Sequence, residues 1–153
     1  MLLLCAFLVG GVAGLRAFLA PAGVSWAARL GVLSVANTPM AFMGYKYTPI
    51  VLTVLAIAEL INDKLPNTPS RKALPSFIAR IVSGGLVGAT IGAVGQMLVL
   101  GTVAGALGAI VGTLGGSAVR GKLAAIFKKD LPAALIEDLA AVLIVTFALA
   151  KLT

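Results

Sequence analysis

"IVSGGLVGATIGAVGQMLVLGTVAGALGAIVGTLGGSAV", residues 81–119, carries no charged residue between Arg80 and Arg120. As a single helix these 39 residues would extend about 58 Å at 1.5 Å per residue, nearly twice a bilayer's apolar thickness of about 30 Å. The stretch must turn back, so two helices are predicted, near 74–98 and 99–119. Gly84, Gly88 and Gly92 fall four apart, as do Gly108, Gly112 and Gly116. Small residues at that spacing let helix backbones approach closely, so these two helices are expected to pack tightly or to present a dimer face. A phosphate-binding reading of the same glycines lacks the strand and the following lysine or acid that it needs.

Composition agrees with a membrane setting. Hydrophobic residues make up 60% of the 153, only 11% are charged, and the mean hydropathy is +1.10, against about 25% charged in soluble domains. The net charge of +7 does not point to nucleic acid, because the basic residues lie between apolar runs instead of on a polar face. They suit loops facing anionic headgroups, so lipids are the expected partners. With no histidine and one cysteine, Cys5, neither a metal centre, another cofactor nor an internal disulfide is expected.

Three further spans are predicted, at 1–20, 47–64 and 131–150, each near the 20 residues that a crossing requires. The first resembles a signal peptide only loosely: Ala20-Pro21-Ala22 imitates a cleavage site, but a positive leading region is missing and Arg16 comes late, so it is read as a retained helix. Residues 21–46 hold Arg29, Asn37 and Pro39 with no long apolar run. An interfacial or re-entrant piece is expected there in place of a sixth crossing, anchored by Trp26, Tyr45 and Tyr47. The fold class is thus all-α, a polytopic transmembrane bundle of about five spans in one domain. Lys64, Arg71, Lys72, Arg120, Lys122, Lys128 and Lys129 flank two loops that five crossings place on one side. The positive-inside rule makes that side cytoplasmic, together with the N-terminus, in a bacterial inner membrane.

Only five residues are acidic, and four cluster by this topology. Glu59 and Asp63 stand one turn apart late in the second helix, Glu137 and Asp138 lie early in the last, and Arg80 enters the third at similar depth. Ionisable groups below the headgroups face inward, pair or line water. Two readings follow. In one, Arg80, with Arg71 nearby, ties Glu59 to Asp138 as a structural lock; in the other, Glu59, Asp63, Glu137 and Asp138 form a cation or proton site. Asp130, just before Leu131 and Pro132, suits a helix cap. Arg16 is expected near the outer end of the first helix, remote from any acid, reaching for a lipid headgroup or another anion.

"GVAGLRAFLA" (11–20) aligns weakly with "GGSAVRGKLA" (115–124), and opposite helix directions would make this a weak inverted repeat. "GLRAFLAPAGVSWAA", "AELINDKLPNTPSR", "IARIVSGGLVGA" and "DLPAALIEDLAAV" together resemble a family of small bacterial membrane proteins catalogued as a domain of unknown function (DUF4126). The resemblance covers nearly the whole chain and implies a multi-helix membrane protein without supplying catalytic residues. Enzymatic activity is not expected, since the commonest bases and nucleophiles are missing. A small transporter or channel-like protein, dimeric because five helices enclose little volume, is the favoured function. The alternative is a membrane scaffold, accessory subunit or lipid-binding protein.

Overall fold

The computed structural model of the chain describes residues 1–65 and 73–153. Among the described residues six α-helices form: α1 (Leu2–Leu15), α2 (Leu19–Arg29), α3 (Thr48–Asn62), α4 (Leu74–Val94), α5 (Leu98–Phe127) and α6 (Asp130–Ala150), with a 3-10 turn at Ala41–Gly44. Three of them, α4, α5 and α6, are long and apolar enough to cross a bilayer, and α1 and α3 are shorter apolar helices. The protein is an all-helical membrane protein.

Proline sets most of the helix starts. Pro21, Pro49, Pro75 and Pro132 each stand in the first turn of α2, α3, α4 and α6, where backbone N–H groups have no helical partner and proline removes no bond. The same rule divides the first predicted span. A helix running through Pro21 would drive the proline ring into the carbonyl four residues back, at Ala17. Instead α1 ends at Leu15, Arg16 is extended (φ −140°, ψ 110°), and α2 begins at Leu19. At the other end of the chain, α5 continues to Phe127, eight residues past its predicted limit of 119.

The two short helices make a hairpin. Going up α1, Leu2 packs on Gly95, Gly10 on Gly105, and Gly14 on Ala109 and Thr113, so α1 runs parallel to α5. On the way back down α2, Ala17 and Phe18 meet Glu59 late in α3, Gly23 meets Val145 of α6, and Trp26 meets Thr53 early in α3. The turn, residues 14–17, touches Arg80 (at Gly14 and Leu15) and Ser83 (at Ala17), which lie about 9 and 14 Å along α4 from its start at 1.5 Å per residue. The hairpin therefore turns inside the bundle.

This arrangement changes three expectations. Residues 1–20 are not one span, and the piece that turns back begins earlier than residue 21. The N-terminus lies beside the α4–α5 turn, at the end of the bundle opposite the end of α3, the start of α4 and the α5–α6 junction rather than on their side. The aligned segments ending in Arg16 and Arg120 run parallel, so no inverted axis relates them. A helix count from hydropathy cannot see a break made by one proline and so assigns every later element the opposite direction.

Glycine is what lets α1, α4 and α5 come together. A Cβ on Gly84, Gly88 or Gly92 would collide with the α5 backbone or Ala109, as would one on Gly101 or Gly105 with α4. Gly108 and Gly112 meet α1 instead, at Phe7 and Gly11, and Gly116 meets Leu15. The predicted glycine spacing thus serves contacts within the chain, and any dimer face uses other residues. Gly105 sits where all three helices meet, its carbonyl against Gly10 and its Cα against Gly88. Gly105→Leu should lower unfolding stability in detergent by at least about 3 kcal/mol through overpacking. The matched control Gly115→Leu, whose Cβ would meet open space, should stay within about 0.5 kcal/mol; equal losses would contradict this packing.

Candidate functional site

Breaking a helix inside an apolar bundle frees peptide groups that must find partners. At the tip the carbonyls of Gly14, Leu15 and Ala17 have side-chain partners. Arg80 Nη1 donates to the carbonyls of Gly14 (2.8 Å) and Leu15 (2.6 Å), the Thr113 hydroxyl shares its proton between Ala109 of its own helix (2.8 Å) and Gly14 (3.1 Å), and the Ser83 hydroxyl donates to Ala17. The freed N–H groups at the start of α2 turn the other way. Ala17 N–H donates to Glu59 Oε1 at 2.7 Å and Phe18 N–H to Glu59 Oε2 at 2.9 Å. A carboxylate at a helix N-terminus also complements the positive end of the helix dipole.

Around this backbone node lies a layer containing all five acidic side chains. Arg16 is fully buried; its Nε donates to Asp138 Oδ1 at 2.7 Å, Nη2 pairs with the same carboxylate, and Nη1 pairs with Asp63 at 2.6 Å. The Nη contacts are ion pairs rather than aligned hydrogen bonds. Arg120 Nη1 reaches Asp63 (2.7 Å) and Glu137 (3.4 Å), and its Nη2 reaches Asp130 (2.6 Å). Lys64 pairs with Asp138 at 3.0 Å, and Arg80 Nη2 stands 3.7 Å from Glu59. Three chain segments distant in sequence thereby interlock: the hairpin tip, the end of α3, and the α5–α6 elbow.

The predicted residues do converge, but with different partners. Arg16 is not at a remote end: because α1 stops at Leu15, its guanidinium enters the acidic layer and takes Asp63 and Asp138. Arg80 pairs with Glu59, while Asp138 is matched by Arg16 and Lys64, so the expected Glu59–Arg80–Asp138 bridge is split. Arg71 lies outside the described residues. Asp130 is the first residue of α6 and holds Arg120 rather than serving as the cap, which is Lys129. Sequence reasoning placed Arg120 only as a loop charge, and Ser83, Thr113 and the tip amides not at all; Pro21 was the available signal for the break.

Between the tip, the end of α3 and the start of α4 opens a cavity of about 390 Å³. Glu59, Asn62, Asp63, Ser76 and Arg80 contribute its polar wall, with Ala17 and Phe18 behind. The four predicted carboxylates therefore fall into two groups. Asp63, Glu137 and Asp138 each meet a guanidinium within 3.4 Å. Glu59 is held chiefly by main-chain N–H groups on the cavity wall.

Removing one partner of a buried ion pair leaves a charge uncompensated, typically at a loss of about 3–5 kcal/mol. Arg16→Met should lower stability in detergent by that amount, because Asp63 and Asp138 both lose a partner. Arg16→Lys should recover only part of it, since one ammonium cannot address two carboxylates in fixed directions. Full recovery by lysine, read from denaturation midpoints, would contradict the fork geometry.

No curated protein and no solved structure matches the chain. A family model described as a domain of unknown function (DUF4126) matches residues 3–151. The chain, which folds as an apolar helical bundle around a broken hairpin, belongs to that family.

Proposed function

We propose that the chain is a small, non-enzymatic transporter or channel-like protein. In this reading Glu59 is its proton- or cation-responsive carboxylate, and Asp63, Glu137 and Asp138 form the lock that holds the site together. One observation carries the reading: Glu59, half-buried, alone among the five acids binds the tip amides, at 2.7 and 2.9 Å, while lining a cavity. Irregular backbone within an apolar bundle is tolerated only where protein or a water-lined cavity surrounds it, and broken helices of this kind are a recurrent feature of transporters. Protonating Glu59, or placing a cation beside it, weakens its charge-assisted bonds to the two N–H groups. Other charged groups around it are Arg80 of α4, Asp63 on its own helix, and Arg16 at the tip through Asp63.

The helix bearing Glu59 is suited to respond. Only Pro49 and Ala56 of α3 are buried, and among the helices it packs against α2. Elements with few buried contacts open at low free energy. Release of Glu59 therefore acts on the most weakly held helix of the bundle. In this reading the basic loops face the cytoplasm of a plasma membrane, which puts the N-terminus on the other side, and a dimer supplements the small volume that one copy encloses. The scaffold reading draws on the same layer, because every acid has a basic neighbour.

Proteoliposomes separate the two. Purified protein should pass protons or a small cation under an imposed gradient. Glu59→Gln should reduce that flux at least about tenfold, equivalent to about 1.4 kcal/mol, while keeping its melting temperature within a few degrees. Asp63→Asn should instead impair assembly. Absence of flux in the unaltered protein, with Glu59→Gln and Asp63→Asn equally damaging to assembly, would favour the scaffold.

A further inference from the structure

The receptor that holds Glu59 is itself suited to a ligand. Two adjacent main-chain N–H groups, from Ala17 and Phe18, converge on the two carboxylate oxygens at the start of the 11-residue helix α2. Arg80, only 5% exposed, lies against the same carboxylate at 3.7 Å. A buried guanidinium requires compensating negative charge, and removing that charge is strongly unfavourable. The site is adjoined by the cavity of about 390 Å³, whose wall adds the Ser76 hydroxyl and the Asn62 amide. Asp63 also lines that wall, but Arg16 and Arg120 already match its charge.

Glu59 comes to this receptor from outside the hairpin, on the weakly packed helix α3. If it becomes neutral or withdraws, the tip amides and Arg80 are left facing a space large enough for another small anion. An incoming monoanion restores the lost charge, so the exchange leaves the net charge of the layer unchanged. The occupant now in place is a carboxylate bound through both oxygens, which defines the shape that the receptor accepts.

We propose that this cavity binds a small monocarboxylate, and that Glu59 is its built-in competitor. The proposal deepens the transporter reading by naming a substrate class and rests on its assignment of Glu59 as the movable carboxylate. Transport then carries the anion on the tip amides together with a proton on Glu59, with no covalent step.

The test uses acetate as the probe, titrated calorimetrically into the purified full chain in detergent at neutral pH and constant ionic strength. Glu59→Ala should bind acetate saturably and at least about tenfold more tightly than the unaltered protein, in which Glu59 occupies the receptor. Glu59→Gln, uncharged but close to isosteric and so still in the receptor, should gain less acetate affinity than Glu59→Ala. Adding Ser76→Ala to Glu59→Ala should weaken acetate, because it removes a donor on the cavity wall. Folded variants that gain no acetate affinity overturn the proposal, as does affinity insensitive to Ser76. Failure of both Glu59 variants to fold overturns it too, since a competitor must be able to leave. Acetate binding without any flux would sink transport alone, whereas Glu59-dependent cation flux without acetate binding would sink the anion site alone.

Discussion

A peptide chain cannot stop being helical within an apolar bundle unless its freed N–H and C=O groups are satisfied there. The break at residues 16–18 meets that requirement by dividing the task by sign. Carbonyls at the end of α1 take donors from Arg80 and Thr113, the Ala17 carbonyl in the break takes one from Ser83, and N–H groups at the start of α2 take the Glu59 carboxylate. Most other features of the molecule follow. Arg80 must be deep in α4, α3 must end with an acid aimed at the tip, and Arg16, pulled into the interior by its position in the break, must find acids of its own.

Close approach of the helices makes the arrangement reachable. Arg80 and Ser83 touch the tip because α1 and α4 stand near one another, and both pack against α5 through glycines that leave no room for a Cβ. Side chains of ordinary size would separate these backbones and lengthen the hydrogen bonds beyond their useful range. The small-residue seam and the polar node are therefore one construction, with van der Waals contact below and charge matching above. By contrast, α3 contributes little to the seam. Its main ties are α2, the 3-10 turn and the charged end carrying Glu59, Asp63 and Lys64, a distribution that favours motion at α3 over motion elsewhere.

The charged layer shows how the same residues can be structural and functional together. Arg16 and Arg120 share Asp63, so the tip, the end of α3 and the end of α5 are coupled through one carboxylate. That part resembles a lock, in which complementary charges hold register more than they add stability. Glu59 differs by partner type and by its place on the cavity. Its bonds are to backbone N–H groups that would serve any carboxylate equally well, and this interchangeability is the physical basis for assigning function there.

Much of this was legible in the residues. The uncharged run 81–119 required a turn, the glycine spacing required close helix packing, and the scarcity of acids made their convergence at one level readable from helix length alone. The directions of α1 and α2 were not. A hydropathy pattern reports that residues 1–20 avoid water, but it does not show that the helix stops at Leu15 and that a second one, starting at Leu19, folds back on it. Pro21 marks where a helix must restart; only tertiary contacts decide whether the chain bends there or kinks and continues. Arg16 likewise looked isolated because its acids lie 47 and 122 positions away, and pairing over such distances depends on how the helices are stacked. Local chemistry thus determined the elements and their polarity, whereas the partners of each charge were decided by the fold, since ion pairs form between neighbours in space.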